Sequence, residues 1–172
     1  MEQPDILRAE AEALLAGMML DTKNFTIRTG ERTFEAAAFL RRAGADTSEV
    51  KKLLQSDMAH TVAKYRILQN AKIYRNGIAI AVQEQPQDRV VAAQAADELL
   101  NVAGVDTSIV IYPAEDGVFM SARSIGDVNV QILMEKLGGG GTRAAAAVQL
   151  SHVELPEAVR QLRAAIDDYF EK

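Results

Sequence analysis

Four consecutive glycines, Gly138 to Gly141, run directly into Thr142, Arg143 and the alanines Ala144 to Ala147. Glycine loses more backbone freedom on folding than any other residue, so four in a row require a compensating reason. The reason that fits is close approach of the backbone to a ligand, most often a phosphate. A glycine-rich turn leading into a small-residue segment exposes a row of N–H donors, and the adjacent arginine adds a planar cationic fork. A flexible loop would also carry glycines, but the flanks argue against one. Val128 to Leu137 has helical spacing, and Ala144 to Leu150 is apolar rather than linker-like.

A chain of 172 residues, 48% hydrophobic and 25% charged, is globular and holds one domain or two small ones. Its net charge of -5 disfavours a general nucleic-acid binder. The charge is uneven: residues 1–74 carry 11 basic against 10 acidic side chains, and residues 75–172 carry 8 against 14. That shift suggests a domain boundary near Arg75. The absence of cysteine excludes a disulfide framework, a thiol nucleophile and a Cys-ligated zinc. The start, Met1-Glu2-Gln3-Pro4-Asp5, is polar and acidic, unlike a signal peptide. No apolar run reaches membrane-spanning length, so a soluble chain is expected.

The periodicity predicts a helical first part. Pro4 and Asp5 suit a first helical turn, and Ile6, Leu7, Ala11, Leu14, Leu15, Met18 and Met19 recur on one helical face up to about Leu20. Further helices are expected over Thr33–Arg42, after an Asp46 cap, and from Asp57 to about Tyr74. The second part alternates. Strands are predicted at Gly77–Gln83, Thr107–Tyr112, Val118–Arg123 and Val148–Val153, and the second and third form a hairpin through Pro113–Gly117. Helices are predicted at Asp88–Leu100, at Val128–Leu137 with Asp127 as cap, and at Glu154–Phe170. This order indicates a small α/β domain with a mixed sheet over residues 76–172, preceded by a helical part at 1–56 and a linker helix at 57–75.

Three places could carry chemistry. Asp21 ends an apolar helix, where a carboxylate meets the unfavourable end of the dipole; a metal ion or Lys23 would offset that, and a plain polar turn is the alternative. Ser121, Arg123 and Ser124 sit at a predicted strand end, where the guanidinium could grip two phosphate oxygens; a solvated hairpin arginine is the alternative. The two histidines, His60 in a helix and His152 in a strand, have no carboxylate pattern of ligand spacing beside them. A Ser-His-Asp order, a P-loop lysine and a Gly-x-Gly-x-x-Gly helix start are all missing.

Together these residues resemble a known family. Leu15-Ala16-Gly17-Met18-Met19-Leu20-Asp21-Thr22-Lys23-Asn24-Phe25 is similar to the final motif of the DHH phosphoesterase domain. Ser121-Ala122-Arg123-Ser124, followed by Gly138 to Gly141, Thr142, Arg143 and Ala144 to Ala146, is similar to the DHH-associated substrate-binding domain. With Arg32-Thr33-Phe34-Glu35-Ala36-Ala37, the whole chain looks most like the membrane-anchored GdpP-type cyclic-di-AMP phosphodiesterases of Gram-positive bacteria. The resemblance implies a DHH domain holding paired manganese ions that activate water, with Asp21 matching the last aspartate ligand. It also implies substrate binding by Ser121, Arg123, Ser124, Gly138, Gly139, Gly140, Gly141, Thr142 and Arg143, and a cytoplasmic place for this part of a membrane-anchored parent.

Two departures qualify that expectation. The family's other metal ligands come from an Asp-x-Asp, an upstream histidine and an Asp-His-His triplet, and none occurs in this sequence. The chain therefore resembles the C-terminal part of a larger enzyme, supplying substrate binding and one metal ligand but no complete catalytic set. The family's glycine run is normally followed by histidine, and Thr142 stands in that place; threonine donates one hydrogen bond but carries no charge near neutral pH. Its expected partners are a cyclic dinucleotide or short oligonucleotide and the missing N-terminal part of the DHH domain. A face along Leu14, Leu15 and Met18, if exposed, would favour a homodimer. The alternative readings are a non-catalytic nucleotide- or RNA-binding module and an interaction scaffold.

Overall fold

The structure, a computed structural model, describes residues 6–171, so the turn expected at Pro4 and Asp5 lies outside the described residues. The chain forms two compact units, Met1–Asp57 and Met58–Lys172.

The first unit contains α1 (Arg8–Asp21), α2 (Glu31–Arg42) and α3 (Thr47–Leu53). Its core gathers Ala11, Leu15, Leu40, Ala45 and Val50. Asp46 caps α3 by accepting from the Ser48 N–H. The apolar residues of α1 do not all share one fate. Ala11 and Leu15 are buried, while Leu7 and Leu14 face solvent at 69% and 53% exposure. Seven apolar positions span a wider arc than three short helices cover, so the expected single stripe divides.

The second unit begins with α4 (Met58–Gln69), then β1 (Ala71–Arg75), β2 (Ile78–Val82), α5 (Arg89–Leu99), β3 (Thr107–Ala114) and β4 (Gly117–Ser124). It ends with α6 (Val130–Lys136), β5 (Gly140–Gly141), β6 (Ala145–Ser151) and α7 (Leu155–Phe170). The strands form one sheet in the order β1-β2-β3-β4-β6-β5. The β2–β3 pair is parallel and is bridged by the α5 crossover; the other pairs are antiparallel, so the sheet is mixed.

Several expected boundaries move. The linker helix expected over 57–75 stops at Gln69, and Ala71–Arg75 pairs with β2 through an Asn76-Gly77 turn whose two residues have φ of 46° and 75°. The β3–β4 turn is only Glu115-Asp116, because Ala114 already pairs with Gly117. Asn129, not Asp127, caps α6, accepting from the Gln131 N–H at 3.1 Å. The last strand starts at Ala145 rather than Val148, and His152 lies beyond it in a left-handed turn at φ 57°.

The alternation of each strand divides the core in two. One face carries Ile78, Ile80, Ile109, Ile111, Val118, Met120, Val148 and Leu150, packed against Leu133 and Met134 of α6 and Leu162 and Ile166 of α7. The other face carries Ala81, Val110 and Tyr112 beneath Val91, Ala92, Ala95 and Leu99 of α5 and Ile67 of α4. On that second face α5 lies over β3 and β4, while Ala145 and Ala147 of β6 remain half-buried and Gln149 exposed.

Candidate functional site

The open part of the second face forms a shallow cleft of about 320 Å³. Its floor is built from small residues: Ser121 of β4, Ala145 and Ala147 of β6, and Gly140 and Gly141 of β5. Pairing register explains the assembly. Ser121 lies opposite Ala147, which lies opposite Gly140, so one row across three strands carries no large side chain. Arg123 stands at one end of the floor, opposite Ala145. At the other end Arg89, the first residue of α5, lies over the Phe119 ring with its guanidinium carbon 4.7 Å from the centroid, and donates to Gln149 Oε1 at 3.2 Å.

Arg123 is held in place before any ligand arrives. Its Nε lies 3.2 Å from Asp97 Oδ1 of α5, and its Nη1 donates to Ser121 Oγ at 3.2 Å and to the Ala122 carbonyl at 2.9 Å. The side chain is only 17% exposed, so the charge is partly desolvated while its edge still borders the cleft. A planar cation fixed in this way suits an oxyanion such as a phosphodiester.

The glycine run divides by role. Gly138, at φ 86°, closes α6, and its N–H donates to the Glu135 carbonyl. The Gly139 N–H donates to the Met134 carbonyl, and the Thr142 N–H to the Ala145 carbonyl. These three donors are therefore engaged within the chain, and Gly140 and Gly141 pair with Ala147 and Ala146 of β6, so the expected row of free donors is not formed and only Gly140 and Gly141 of the run border the cleft. Thr142 also turns its Oγ1 onto Ala145, and Arg143 reaches the Asp127 carbonyl at 3.2 Å, so neither lines the cleft. Ser124 falls on the opposite face from Arg123, buried, with its Oγ 3.2 Å from Thr107 Oγ1. The structure thus brings Ser121, Arg123, Gly140 and Gly141 together and leaves Ser124, Gly138, Gly139, Thr142 and Arg143 outside the cleft.

Arg89 and Phe119 escaped the sequence reading. Arg89 follows the Asp88 cap, which accepts from the Val90 and Val91 N–H groups, and resembles any exposed first-turn residue. Only the strand order places it beside β4 and β6. Beneath Phe119, the buried Tyr112 ring lies 5.5 Å from it, and burial pushes the Tyr112 hydroxyl up to about 12.

In the first unit, Asp21 ends α1 with its side chain 70% exposed, and Arg28 Nη2 bonds both its Oδ1 at 3.0 Å and its carbonyl at 2.9 Å. The turn that follows is strained: Lys23, Asn24 and Phe25 have φ of 46°, 55° and 62° in succession. Thr22 holds it, donating from Oγ1 to the Met18 carbonyl at 2.7 Å and accepting from the Phe25 N–H at 2.9 Å. Such strain persists where the surroundings over-determine it, often at functional sites. No group of three His, Asp or Glu among the described residues is placed to hold a metal ion, so these residues do not by themselves make up a metal site, and Asp21 could be at most one ligand of one.

A six-stranded mixed sheet flanked by helices, with a small-residue floor beside a fixed arginine, makes the second unit an α/β domain with one open sheet face. The DHHA1 domain model matches residues 76–172, and the chain belongs to that family. Over 165 residues it is 54% identical to the cyclic-di-AMP phosphodiesterase GdpP of Geobacillus thermodenitrificans, covering 94% of this chain and 25% of that protein. Over 174 residues it is 47% identical to the cyclic-di-AMP phosphodiesterase PdeA of Listeria monocytogenes, covering 98% of this chain and 26% of that one. The chain thus spans about a quarter of the length of these curated relatives. Its fold is similar to that of an exopolyphosphatase-related protein from Bacteroides fragilis, with a TM-score of 0.84 at 20% identity over 95% of this chain and 51% of that one.

Proposed function

We propose that this chain is the C-terminal, substrate-holding portion of a metal-dependent phosphodiesterase that hydrolyses cyclic-di-AMP to pApA. The observation that carries the reading is the small-residue floor bordered by the fixed Arg123 guanidinium. A phosphodiester laid on this floor would approach the Gly140 backbone without meeting a side chain, and Arg123 would stabilise the charge that grows on it. Asp97 and Ser121 act as positioning residues for Arg123, and Arg89 supplies a second cation for the ligand's far side. Asp21 is proposed as one ligand of a manganese pair whose remaining ligands come from preceding parts of the parent DHH domain. The parent is proposed to be membrane-anchored with this part in the cytoplasm; no helix among the described residues is long and apolar enough to cross a membrane.

The test is a titration of cyclic-di-AMP into the chain, with and without manganese, alongside a short oligoribonucleotide. The expected result is cyclic-di-AMP binding that Arg123→Ala weakens, with no release of pApA. Robust turnover would overturn the view that catalysis needs the rest of the parent. Oligoribonucleotide binding without cyclic-di-AMP binding would favour a non-catalytic RNA module.

A further inference from the structure

A second and larger cleft, about 950 Å³, lies at the β1 edge of the sheet, the edge opposite the glycine strand. Its apolar floor is Ile80 and Val82 of β2. Three cations line it: Arg66 near the end of α4, Lys72 of β1 and Arg163 of α7. The only carboxylate among the lining residues is Glu84. Across residues 58–172, the unit that holds the cleft, 14 acidic side chains outnumber 11 basic ones, so this local reversal is not a sampling of the surrounding surface. No ion pair among the described residues holds Arg66 or Lys72. Gathering like charges unpaired raises their mutual repulsion, and an anionic ligand relieves it.

The rest of the lining suits a flat, hydrogen-bonding group as well as an anion. Tyr74 is fixed by donating its hydroxyl to Asp167 Oδ2 at 2.8 Å, and the Arg163 guanidinium carbon lies over its ring at 5.3 Å. A guanidinium seated on a fixed ring offers a base a stacking surface. The loop after β2 contributes Gln83, Gln85 and Gln87, and Asn70 closes α4 beside them. Asn70 donates to Gln83 Oε1 at 3.1 Å and Gln83 Nε2 donates to the Ile67 carbonyl at 3.5 Å, so that buried amide braces the loop and the exposed Gln85 is the amide open to a ligand. Primary amides present a donor beside an acceptor, the pattern of a nucleobase edge. The volume lies within the range of pockets that hold small ligands of this kind.

We propose that this cleft binds a nucleotide unit, a nucleobase with its phosphate, the phosphate against Arg66 and Lys72 and the base between the Tyr74–Arg163 stack and the glutamine loop. The unit could arrive as a free nucleotide or as the end of a short single strand.

The test is amide-resolved NMR on the full chain, titrated with AMP, adenosine, inorganic phosphate and tetra-adenylate in turn. AMP is expected to shift the signals of residues 71–74 and 83–87. The double variant Arg66→Ala/Lys72→Ala, at exposed positions where the fold tolerates change, should weaken AMP by about tenfold or more. Arg123→Ala should leave AMP affinity at this cleft unchanged, which separates the idea from the cyclic-di-AMP reading. Tighter binding of tetra-adenylate with a steeper salt dependence assigns the strand end as the source; equal affinity assigns the free nucleotide, and either supports the site. Absence of shifts at these residues, an unaltered affinity in the double variant, or inorganic phosphate binding as well as AMP would each overturn the proposal.

Discussion

A Cβ added at Gly139 would lie 2.3 Å from the Ala147 carbonyl oxygen and 2.5 Å from Val148 Cβ, whereas one added at Gly140 meets nothing within 4 Å. Gly139 is therefore required by packing on β6, and the bare position at Gly140 has no such explanation inside the chain. Gly139→Ala is expected to lower stability by about 1–3 kcal/mol in denaturant melts. Gly140→Ala should leave the melt unchanged yet weaken cyclic-di-AMP; unchanged affinity would remove the glycine from the proposed site. Arg123 is subject to a parallel test. Arg123→Ala should weaken cyclic-di-AMP by about 10- to 100-fold, and Arg123→Lys should restore little of it, because a point charge cannot bond both Asp97 and a phosphate through a fork. At Tyr112 the hydroxyl is buried without a partner among the described residues, and its proton is held up to about 12. The unfolded chain releases that proton near pH 10, so the native state loses stability as pH rises above about 10. Tyr112→Phe should flatten that alkaline loss, measured by melts from pH 8 to 11.

At the scale of elements, α7 is tied to β1 by one carboxylate. Asp167 accepts from the Tyr74 hydroxyl at 2.8 Å and from Arg75 Nη1 at 2.6 Å. The Tyr74 bond first, and then the Arg75 bond and charge, hold the Asp167 carboxyl below the usual aspartate range. The sign follows from linkage: a depressed carboxyl stabilises the fold above its unfolded value, and that contribution is lost as pH falls through the folded value. Melts between pH 7 and 3 should show an acid-side loss that Asp167→Asn reduces; an identical profile in the variant would show that the tie contributes nothing. The same region shows where sequence reading stopped. Ile67, Ala71 and Tyr74 continue a helical stripe at spacings of four and three, so the chain reads as helix through a segment that pairs as β1. Tertiary pairing with Ile78–Val82 overrides the local pattern. The helices α5 and α7 were legible within a residue because Asp88 and Pro156 mark their starts and apolar residues recur down one face. The two-residue β5 was not, since glycine offers no side chain to alternate. Ser121 and Ser124 looked equivalent as flanks of Arg123, but one step in strand parity separates their faces.

For the molecule as a whole, the crossover β2-α5-β3 decides where a site can form. It places α5 over β3 and β4 and leaves β6 and β5 bare on that face, so the floor and both flanking arginines come from residues after Met58. The first unit has its own small core around Leu15, Leu40 and Val50. Two units with separate cores need not unfold as one, and a single midpoint would then misdescribe the chain. Residues 58–172 expressed alone are expected to keep the sheet, shown by dispersed amide signals, and to bind cyclic-di-AMP within about twofold of the full chain, as independent parts do. The exposed strained turn at Lys23–Phe25 and the Arg28–Asp21 pair would then be dispensable for binding. A tenfold or greater loss in the shortened chain would contradict this, and would show that binding draws on the first unit as well as on the floor.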